Sequence, residues 1–299
     1  RVWFRAWEGQ TGTFWVDRFS IDKLVETDAL PLEKGRSRIV VDGRKPIGPM
    51  IRNWLGVDEM VDSLLYETCR TRVLPLLRDA GVEYVRLHWA LSWIWKKNDA
   101  AGNAIYDWDG FDSVLDSLRE NDLRPMIITE PTPKPLTSRP TKHWVNTSPP
   151  TDMKRHGQYI VDVARHCVER YGLAEVEKWY WESWNEPDGH YYFQGTPDEY
   201  HEVYDHEATA MRESFPTLQY GTMECESTTL EHVQSGVNAA TGKAGDVPID
   251  FFTYHFYPGS GAAHPSIKSL ERSSLQRMRL YEKYPKLKGK QIINGEWNA

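Results

Sequence analysis

Residues 153–186, MKRHGQYIVDVARHCVERYGLAEVEKWYWESWNE, carry the two patterns that decide the fold. Over residues 153–171 the apolar side chains recur at helical spacing, and Gly172 marks the end of the predicted helix. The apolar face of that helix holds Ile160, Val163, Ala164, Cys167, Val168 and Tyr171. Residues 179–186 are rich in aromatic side chains and predict a β-strand. A helix that leads into such a strand is typical of an α/β protein with a parallel sheet.

The same alternation of strand-like and helical runs continues on both sides of this segment. Seven runs predict strands, at residues 51–55, 82–88, 125–129, 179–186, 219–224, 250–255 and 291–296. The helices predicted between them include 58–80, which Pro75 should kink or split, and 109–120. Thr196-Pro197-Asp198-Glu199 predicts the capped start of another helix. These repeats predict a (β/α)8 barrel, an α/β fold, over residues 43–299, with one strand unaccounted for.

The N-terminal part, residues 1–42, has a different pattern. Residues 2–7 and 13–17 alternate apolar and polar side chains on either side of a glycine-containing turn, which predicts a β-hairpin. The sequence GTFWVDRFSI at 12–21 resembles the closing strands of carbohydrate-binding jelly rolls. We therefore expect strands of an accessory β-sandwich and a linker here. We also expect the barrel to be truncated after its seventh strand, so that the chain is a segment of a longer polypeptide.

Composition narrows the range of partners. Lys and Arg number 36 against 43 Asp and Glu, a net charge of −7, so nothing indicates binding to nucleic acid or to an anionic membrane. The three cysteines, Cys69, Cys167 and Cys225, fit neither a disulfide framework nor a metal-binding pair. The 13 Trp, 15 Tyr and 9 Phe residues favour a site that stacks on rings or on the apolar faces of sugars. The sequence does not decide the cellular compartment, although a secreted or periplasmic location is slightly favoured over a cytoplasmic one.

Carboxylates stand at the ends of two predicted strands. The fourth strand ends in Trp184-Asn185-Glu186-Pro187, and the seventh ends at Glu296. In a parallel barrel the carboxyl ends of the strands converge on one face. Two carboxylates three strands apart can therefore face each other across a pocket. Cleavage of a glycosidic bond needs this arrangement, because one carboxyl group must hold a proton while the other stays ionised.

Longer stretches of sequence resemble one family. KWYWESWNEPD at 178–188, DFFTYHFY at 250–257 and YVRLHW at 84–89 resemble glycoside hydrolase family 39, which includes β-xylosidases and α-L-iduronidases. The resemblance covers about residues 50–299. It implies a retaining glycosidase that acts through a covalent glycosyl-enzyme intermediate, on a carbohydrate substrate such as a β-xyloside, without a cofactor or metal. Departures at 129–133 and 224–226 leave the identity of the sugar open.

The resemblance also assigns the catalytic residues. It implies that Glu186 is the acid/base and that Glu296 is the nucleophile. Asn185 would hydrogen bond the substrate 2-hydroxyl, and Tyr257 would donate to the nucleophile carboxylate. The fixed charge of Arg86 would help to keep Glu296 ionised.

Further residues are candidates for the substrate-binding walls of the pocket. His88 and His255 are expected to be wall groups, although each could also be a hydrogen-bonded core histidine. Trp297, beside the candidate nucleophile, is the expected sugar platform. Glu130 could contact sugar hydroxyls or could form an ion pair on the rim. Glu182 shares the strand face of Glu186 but lies deeper, so we expect a buried ion pair with Arg86.

Loop composition predicts a pocket that admits a chain end. Prolines stiffen the segment after the third strand, at Pro131, Pro133, Pro135 and Pro140, and residues 190–193 can form a second wall. Both features favour exo action. Two alternatives stay open, which are a non-catalytic carbohydrate-binding protein and a transglycosidase. The spacing of His201 and His206 argues against a zinc site there, because it keeps the two side chains off a common helix face.

Overall fold

The computed structural model describes residues 56–139, 145–223, 228–257 and 267–297. All of them belong to a compact unit that spans Trp54–Ala299. The sandwich strands expected within residues 1–42 and the strand predicted at 51–55 lie outside the described residues. Within the described ranges, no helix combines the length and apolar character that crossing a membrane requires.

Nine strands form a large parallel sheet and a separate hairpin in the described residues. The seven parallel strands, in sheet order, are β1 (Gly56–Met60), β2 (Tyr84–His88), β5 (Arg124–Ile128), β6 (Tyr180–Ser183), β7 (Gln219–Met223), β8 (Phe251–His255) and β9 (Gln291–Glu296). The antiparallel hairpin joins β3 (Trp95–Asn98) to β4 (Ala104–Tyr106). The described part of the chain therefore supplies seven strands of a (β/α)8 barrel, and the predicted fold class is confirmed.

Helices connect successive parallel strands. In chain order they are α1 (Leu74–Asp79), α2 (Asp109–Glu120), α3 (Met153–Tyr171), α4 (Leu173–Val176), α5 (Pro197–Ser214), α6 (Thr228–Ser235), α7 (Ile267–Met278) and α8 (Leu280–Lys283). α2 and α3 have the predicted bounds. α5 begins with the predicted capping box, because the Thr196 side chain accepts from the Glu199 amide and the Glu199 side chain accepts from the Thr196 amide.

The beginning of the barrel differs from the prediction. Residues 58–60, predicted as the start of a long helix, belong to strand β1, which pairs in parallel with β2. The chain then forms a 3-10 turn at Val61–Leu65 and a π-helical turn at Cys69–Val73 before α1. Pro75 lies in the first turn of α1, directly after the π-helical turn, so the helical run is divided next to this proline. Pairing with β2 overrides the local helical pattern here.

Helices α3 and α5 pack closely against one another outside the sheet. At Gly157 of α3 an added Cβ atom would lie 2.5 Å from the carbonyl oxygen of His206 in α5. The buried face of α3 includes the predicted apolar residues Ile160, Val163, Ala164 and Cys167. The close approach of these two helices therefore depends on the missing side chain at position 157.

We predict that Gly157→Ala destabilises the protein. In an unstrained helix this substitution usually stabilises by about 0.5–1 kcal/mol. Here the methyl group meets backbone that cannot move aside, and the expected result is a loss of about 1–3 kcal/mol. Urea unfolding measures the change, with the exposed Lys154→Ala of the same helix as the control. A Gly157→Ala variant as stable as the parent would contradict the packing described above.

Candidate active site

The strand register brings polar side chains together at the carboxyl rim of the sheet. Arg86 and His88 lie two residues apart on β2, so their side chains share one face of the strand. Asp58 of β1 is the register partner of Arg86. β9 ends at Glu296, and the chain that leaves β6 reaches Glu186 three residues after the strand ends. Residues from four separate segments therefore meet at one rim.

Arg86 is the centre of this cluster. Its Nε donates to Oε2 of Glu182 at 2.6 Å, and its Nη2 donates to Oδ1 of Asn185 at 3.0 Å. Its Nη1 donates to Oε1 of Glu296 at 2.9 Å and to Oδ1 of Asp58 at 3.1 Å. Burial works against the charge of Arg86, but these carboxylates outweigh it and raise the pKa of the guanidinium. The expected buried pair between Glu182 and Arg86 is therefore present.

The two candidate catalytic carboxylates lie next to each other. An oxygen of Glu186 and an oxygen of Glu296 are within 4.8 Å of one another. The His255 ring lies between them, with Nδ1 2.8 Å from Oε1 of Glu186 and Nε2 3.5 Å from Oε1 of Glu296. The hydroxyl of Tyr257 donates to Oε2 of Glu296. The side chain of Glu186 is 26% exposed and that of Glu296 is 15% exposed, so Glu186 is the more accessible of the two.

The surroundings of Glu296 favour its ionised form. Burial alone would raise the pKa of this carboxyl group. The hydrogen bond with His88, the charges of His255 and Arg86 and the hydrogen bond from Tyr257 outweigh burial and hold the pKa of Glu296 well below its usual range. A carboxylate that stays ionised in a partly buried site can act as a nucleophile or can stabilise a developing positive charge.

His88 is surrounded by carboxylates. Its Nδ1 lies 3.2 Å from Oε1 of Glu130, and its Nε2 lies 3.1 Å from Asp58 and 3.3 Å from Oε1 of Glu296. Burial would lower the pKa of the imidazole, but the hydrogen bonds with these three carboxyl groups raise the pKa of His88 to about 11. Burial raises the pKa of Glu130, and the contacts with His88 and the charge of Arg86 offset this increase only in part.

The structure brings together most of the residues that the sequence predicted. Hydrogen bonds or ion pairs join Arg86, His88, Glu130, Asn185, Glu186, His255, Tyr257 and Glu296. His88 and His255 contact site carboxylates rather than core groups. Trp297, the expected sugar platform, directly follows Glu296 and is half-buried. The substrate contacts expected of Trp297, Asn185 and Glu130 stay predictions.

Asp58 is a member of the cluster that the sequence analysis missed. It was predicted to begin a helix, whereas in the structure it is the third residue of the five-residue strand β1. The run Gly-Val-Asp-Glu-Met has no sustained apolar pattern, so the only local signal was a carboxylate at the start of the predicted helix. The register with Arg86, which brings Asp58 into the site, depends on a strand pairing between distant parts of the chain.

Two sets of side chains in the site could offer ligands to a cation. One is Asp58, His88 and Glu296, and the other is Glu186, His255 and Glu296; within each set the ligand atoms lie within 4.8 Å of one another. In the first set Arg86 already contacts both Asp58 and Glu296. A fixed positive charge at that position competes with a metal ion for the same carboxylates.

Comparison with known proteins shows the family of the chain. The family model of glycosyl hydrolases family 39 matches residues 39–297. The chain belongs to this family. A β-xylosidase of Caldicellulosiruptor saccharolyticus is 31% identical over 202 residues, which cover 65% of this chain and 40% of the relative. Human α-L-iduronidase is 28% identical over 228 residues, which cover 72% of this chain and 33% of the relative. The chain thus spans less than half the length of these two family 39 proteins, and the predicted family is confirmed.

Solved structures show the same fold. A monomeric β-xylosidase from Caulobacter crescentus superimposes with a TM-score of 0.69 at 24% identity, covering 82% of this chain and 52% of that one. The family 39 enzyme from Xanthomonas axonopodis gives a TM-score of 0.66 at 24% identity, covering 82% of this chain and 50% of that one. At this level of identity the likeness supports the barrel architecture alone.

We predict that His88 makes stability depend on pH in a defined direction. Its pKa of about 11 in the folded protein exceeds the usual value of about 6.5. The stabilisation is therefore complete below about pH 6.5 and is lost as the pH rises toward 11. The difference in free energy of unfolding between the parent and His88→Gln should be larger at about pH 6 than at about pH 9, by about 1 kcal/mol or more. Urea titrations at both pH values measure it, and an equal difference would contradict the assignment.

Proposed function

We propose that the protein is a retaining glycoside hydrolase. Glu296 attacks the anomeric carbon while Glu186 protonates the leaving oxygen, which gives a covalent glycosyl-enzyme intermediate. Glu186 then acts as a base and activates the water that hydrolyses this intermediate. The observation that carries the proposal is the separation of the two carboxyl groups, with oxygens within 4.8 Å of one another. Retaining enzymes place these groups about 5–5.5 Å apart, whereas inverting enzymes need about 6.5–9.5 Å.

The different surroundings of the two carboxyl groups support these roles. Arg86, His88 and Tyr257 all contact Glu296, and its pKa is held low. Glu186 instead contacts His255 and is the more exposed of the two groups. A nucleophile must be ionised, whereas an acid/base must reach the leaving group and exchange protons with water. The arrangement supports Glu296 in the first role and Glu186 in the second.

The charge of the site favours a neutral sugar. Five carboxyl groups line the cluster, those of Asp58, Glu130, Glu182, Glu186 and Glu296. Among the described residues of this cluster the basic groups are the Arg86 guanidinium and the two imidazoles, and each of them already contacts one or more of these carboxyl groups. A sugar that carries its own carboxylate would meet like charges. A β-xyloside-like substrate therefore fits better than an iduronide.

Two loop walls support exo action. In the first, Pro131 and Pro133 are buried, and Asn146 donates to the Thr132 carbonyl at 3.0 Å, which ties the segment together. Pro140 lies outside the described residues. In the second, the Trp184 indole donates to the carbonyl oxygen of Tyr192 at 2.9 Å and anchors the loop after β6. We infer that fixed walls on two sides make the site a pocket rather than an open groove, which would favour binding of a chain end.

Substitution of the two carboxylates tests the mechanism. Glu296→Gln should lower kcat by more than about a thousandfold, a barrier increase of about 4 kcal/mol. Glu296→Ala with added azide should release a glycosyl azide of inverted configuration. Glu186→Ala with azide should release one of retained configuration, because azide then attacks the intermediate. NMR of the products measures the configuration. The exposed Glu120→Gln of α2 is the control. Wild-type hydrolysis with inversion would rule the mechanism out.

A panel of aryl glycosides tests the substrate and the mode of action. We expect 4-nitrophenyl β-xyloside to be hydrolysed with kcat/KM at least about tenfold above that of the corresponding iduronide, because one unfavourable charge contact is enough for such a ratio. Chromatography of digests of a xylo-oligosaccharide should show single sugars from the start. Early release of mid-length oligosaccharides together with poor activity on aryl glycosides would overturn exo action.

A further inference from the structure

A carboxyl group that the proposed catalytic cycle does not use lies buried outside the sheet. Glu207 of α5 and His156 of α3 are both 0% exposed. Nε2 of His156 lies 2.9 Å from Oε1 of Glu207. A buried carboxyl group is destabilising unless hydrogen bonds satisfy it. The other partners of Glu207 therefore identify what this group holds in place.

Those other partners come from three adjacent strand segments. The hydroxyl of Ser183, the last residue of β6, donates to Oε2 of Glu207 at 2.5 Å. The hydroxyl of Tyr220, in β7, donates to the same oxygen at 2.7 Å. Oγ1 of Thr129, directly after β5, lies 3.2 Å from Oε1. One carboxyl group thus ties three neighbouring strands to the two helices that cover them.

Helix α5 holds Ser183 at two points. Glu207 accepts from its hydroxyl, and the hydroxyl of Tyr200 donates to its carbonyl oxygen at 2.9 Å. Tyr200 and Glu207 are seven residues apart, which is about two helical turns, so both project from one face of α5. Ser183 is therefore fixed in both position and orientation, three residues before Glu186.

The chain between Ser183 and Glu186 adopts an unusual conformation. Trp184 has a φ of 57° and Glu186 a φ of 43°, in a region that residues other than glycine seldom occupy. Such conformations persist only where the surrounding structure holds them. Further along the segment, the Glu186 amide donates to the sulfur of Met223 at 3.3 Å. The first anchor along this segment is Ser183, and Glu207 holds its side chain.

We infer that Glu207 is a positioning residue for the acid/base Glu186. By holding Ser183, it sets the direction in which the segment leaves β6 and therefore where the carboxyl group of Glu186 lies. The inference rests on the proposed function for the role of Glu186. Glu296 belongs to β9, which contributes no contact to this network within the described residues. Loss of Glu207 should therefore impair leaving-group protonation more than nucleophilic attack.

Leaving-group dependence separates these two effects. A 4-methoxyphenyl glycoside needs protonation of its leaving oxygen, whereas a 2,4-dinitrophenyl glycoside does not. We expect Glu207→Gln to lower kcat/KM for the first substrate by roughly tenfold to a hundredfold, the usual effect of a small misplacement. For the second substrate, kcat/KM should change by less than about threefold. Ser183→Ala, which leaves Glu207 in place, should give the same pattern with a smaller ratio. A general loss of folded protein would lower the apparent kcat/KM for both substrates by the same factor.

Asp205→Asn is the matched control. Asp205 is also 0% exposed and lies on the same helix, but it contacts His232 at 2.9 Å and the Ala239 amide at 2.7 Å rather than the strands. This variant should leave the ratio of the two substrates unchanged. Equal losses for both substrates in Glu207→Gln, or the same change in ratio in Asp205→Asn, would overturn the inference.

Hydrogen exchange gives a measure that does not require activity. The peptide covering residues 180–188 should exchange its amide hydrogens faster in Glu207→Gln than in the parent or in Asp205→Asn. If the parent hydrolyses none of the glycosides, the proposed function fails and the exchange data alone decide whether Glu207 holds this segment. Unchanged exchange in residues 180–188 would show that it does not.

Discussion

The active site depends on the buried ion pair between Arg86 and Glu182. Removing two charges from water is unfavourable by several kcal/mol per ion, and the pair is tolerated only where further hydrogen bonds satisfy both groups. Arg86 meets this condition through Glu296, Asp58 and Asn185, and Glu182 accepts from the hydroxyl of Thr253. The requirement that no buried charge stays unpaired thus brings side chains from several strands to fixed positions around one guanidinium.

This arrangement also gives the two proposed catalytic carboxylates different electrostatic surroundings. The guanidinium donates directly to Glu296, whereas Glu186 contacts the neighbouring imidazole of His255. Glu182 balances much of the charge of Arg86, so no anion from solvent is needed to hold the guanidinium in place. The guanidinium is then fixed with its Nη1 group directed toward Glu296. Two carboxyl groups within a few ångströms of one another can take opposite roles only if such an asymmetry exists.

Sequence patterns predicted those parts of the fold that local periodicity determines. α2 and α3 have the predicted bounds, and the strands that carry Arg86 and Glu296 and the strand that precedes Asn185 lead to the expected rim. Asp58 was missed because β1 is a strand through its pairing with β2 and not through its own residues. Non-local pairing of this kind leaves no period in a single sequence.

Glu207 was missed for a related reason. The helix sequence PDEYHEVYDHEATAMRES is polar, and acidic residues on such a helix ordinarily face solvent. Glu207 is buried only because Ser183, Tyr220 and His156 offer it hydrogen bonds. Those partners are scattered over several elements. A pattern along one element can therefore predict which face of a helix is apolar, but it cannot predict a polar group that is buried by its partners.

Two buried carboxyl groups, those of Glu182 and Glu207, act together at the end of β6. Successive residues of a strand point to opposite faces of the sheet, so Glu182 projects toward the barrel interior and Ser183 projects toward the helices. Glu182 is held by Arg86 on the inner face, and Ser183 is held by Glu207 on the outer face. The last two residues of β6 are therefore fixed from both sides, by a guanidinium on one face and by a buried carboxyl group on the other. The strained segment that carries Glu186 begins at this point, so the position of the proposed acid/base depends on polar contacts on both faces of a single strand.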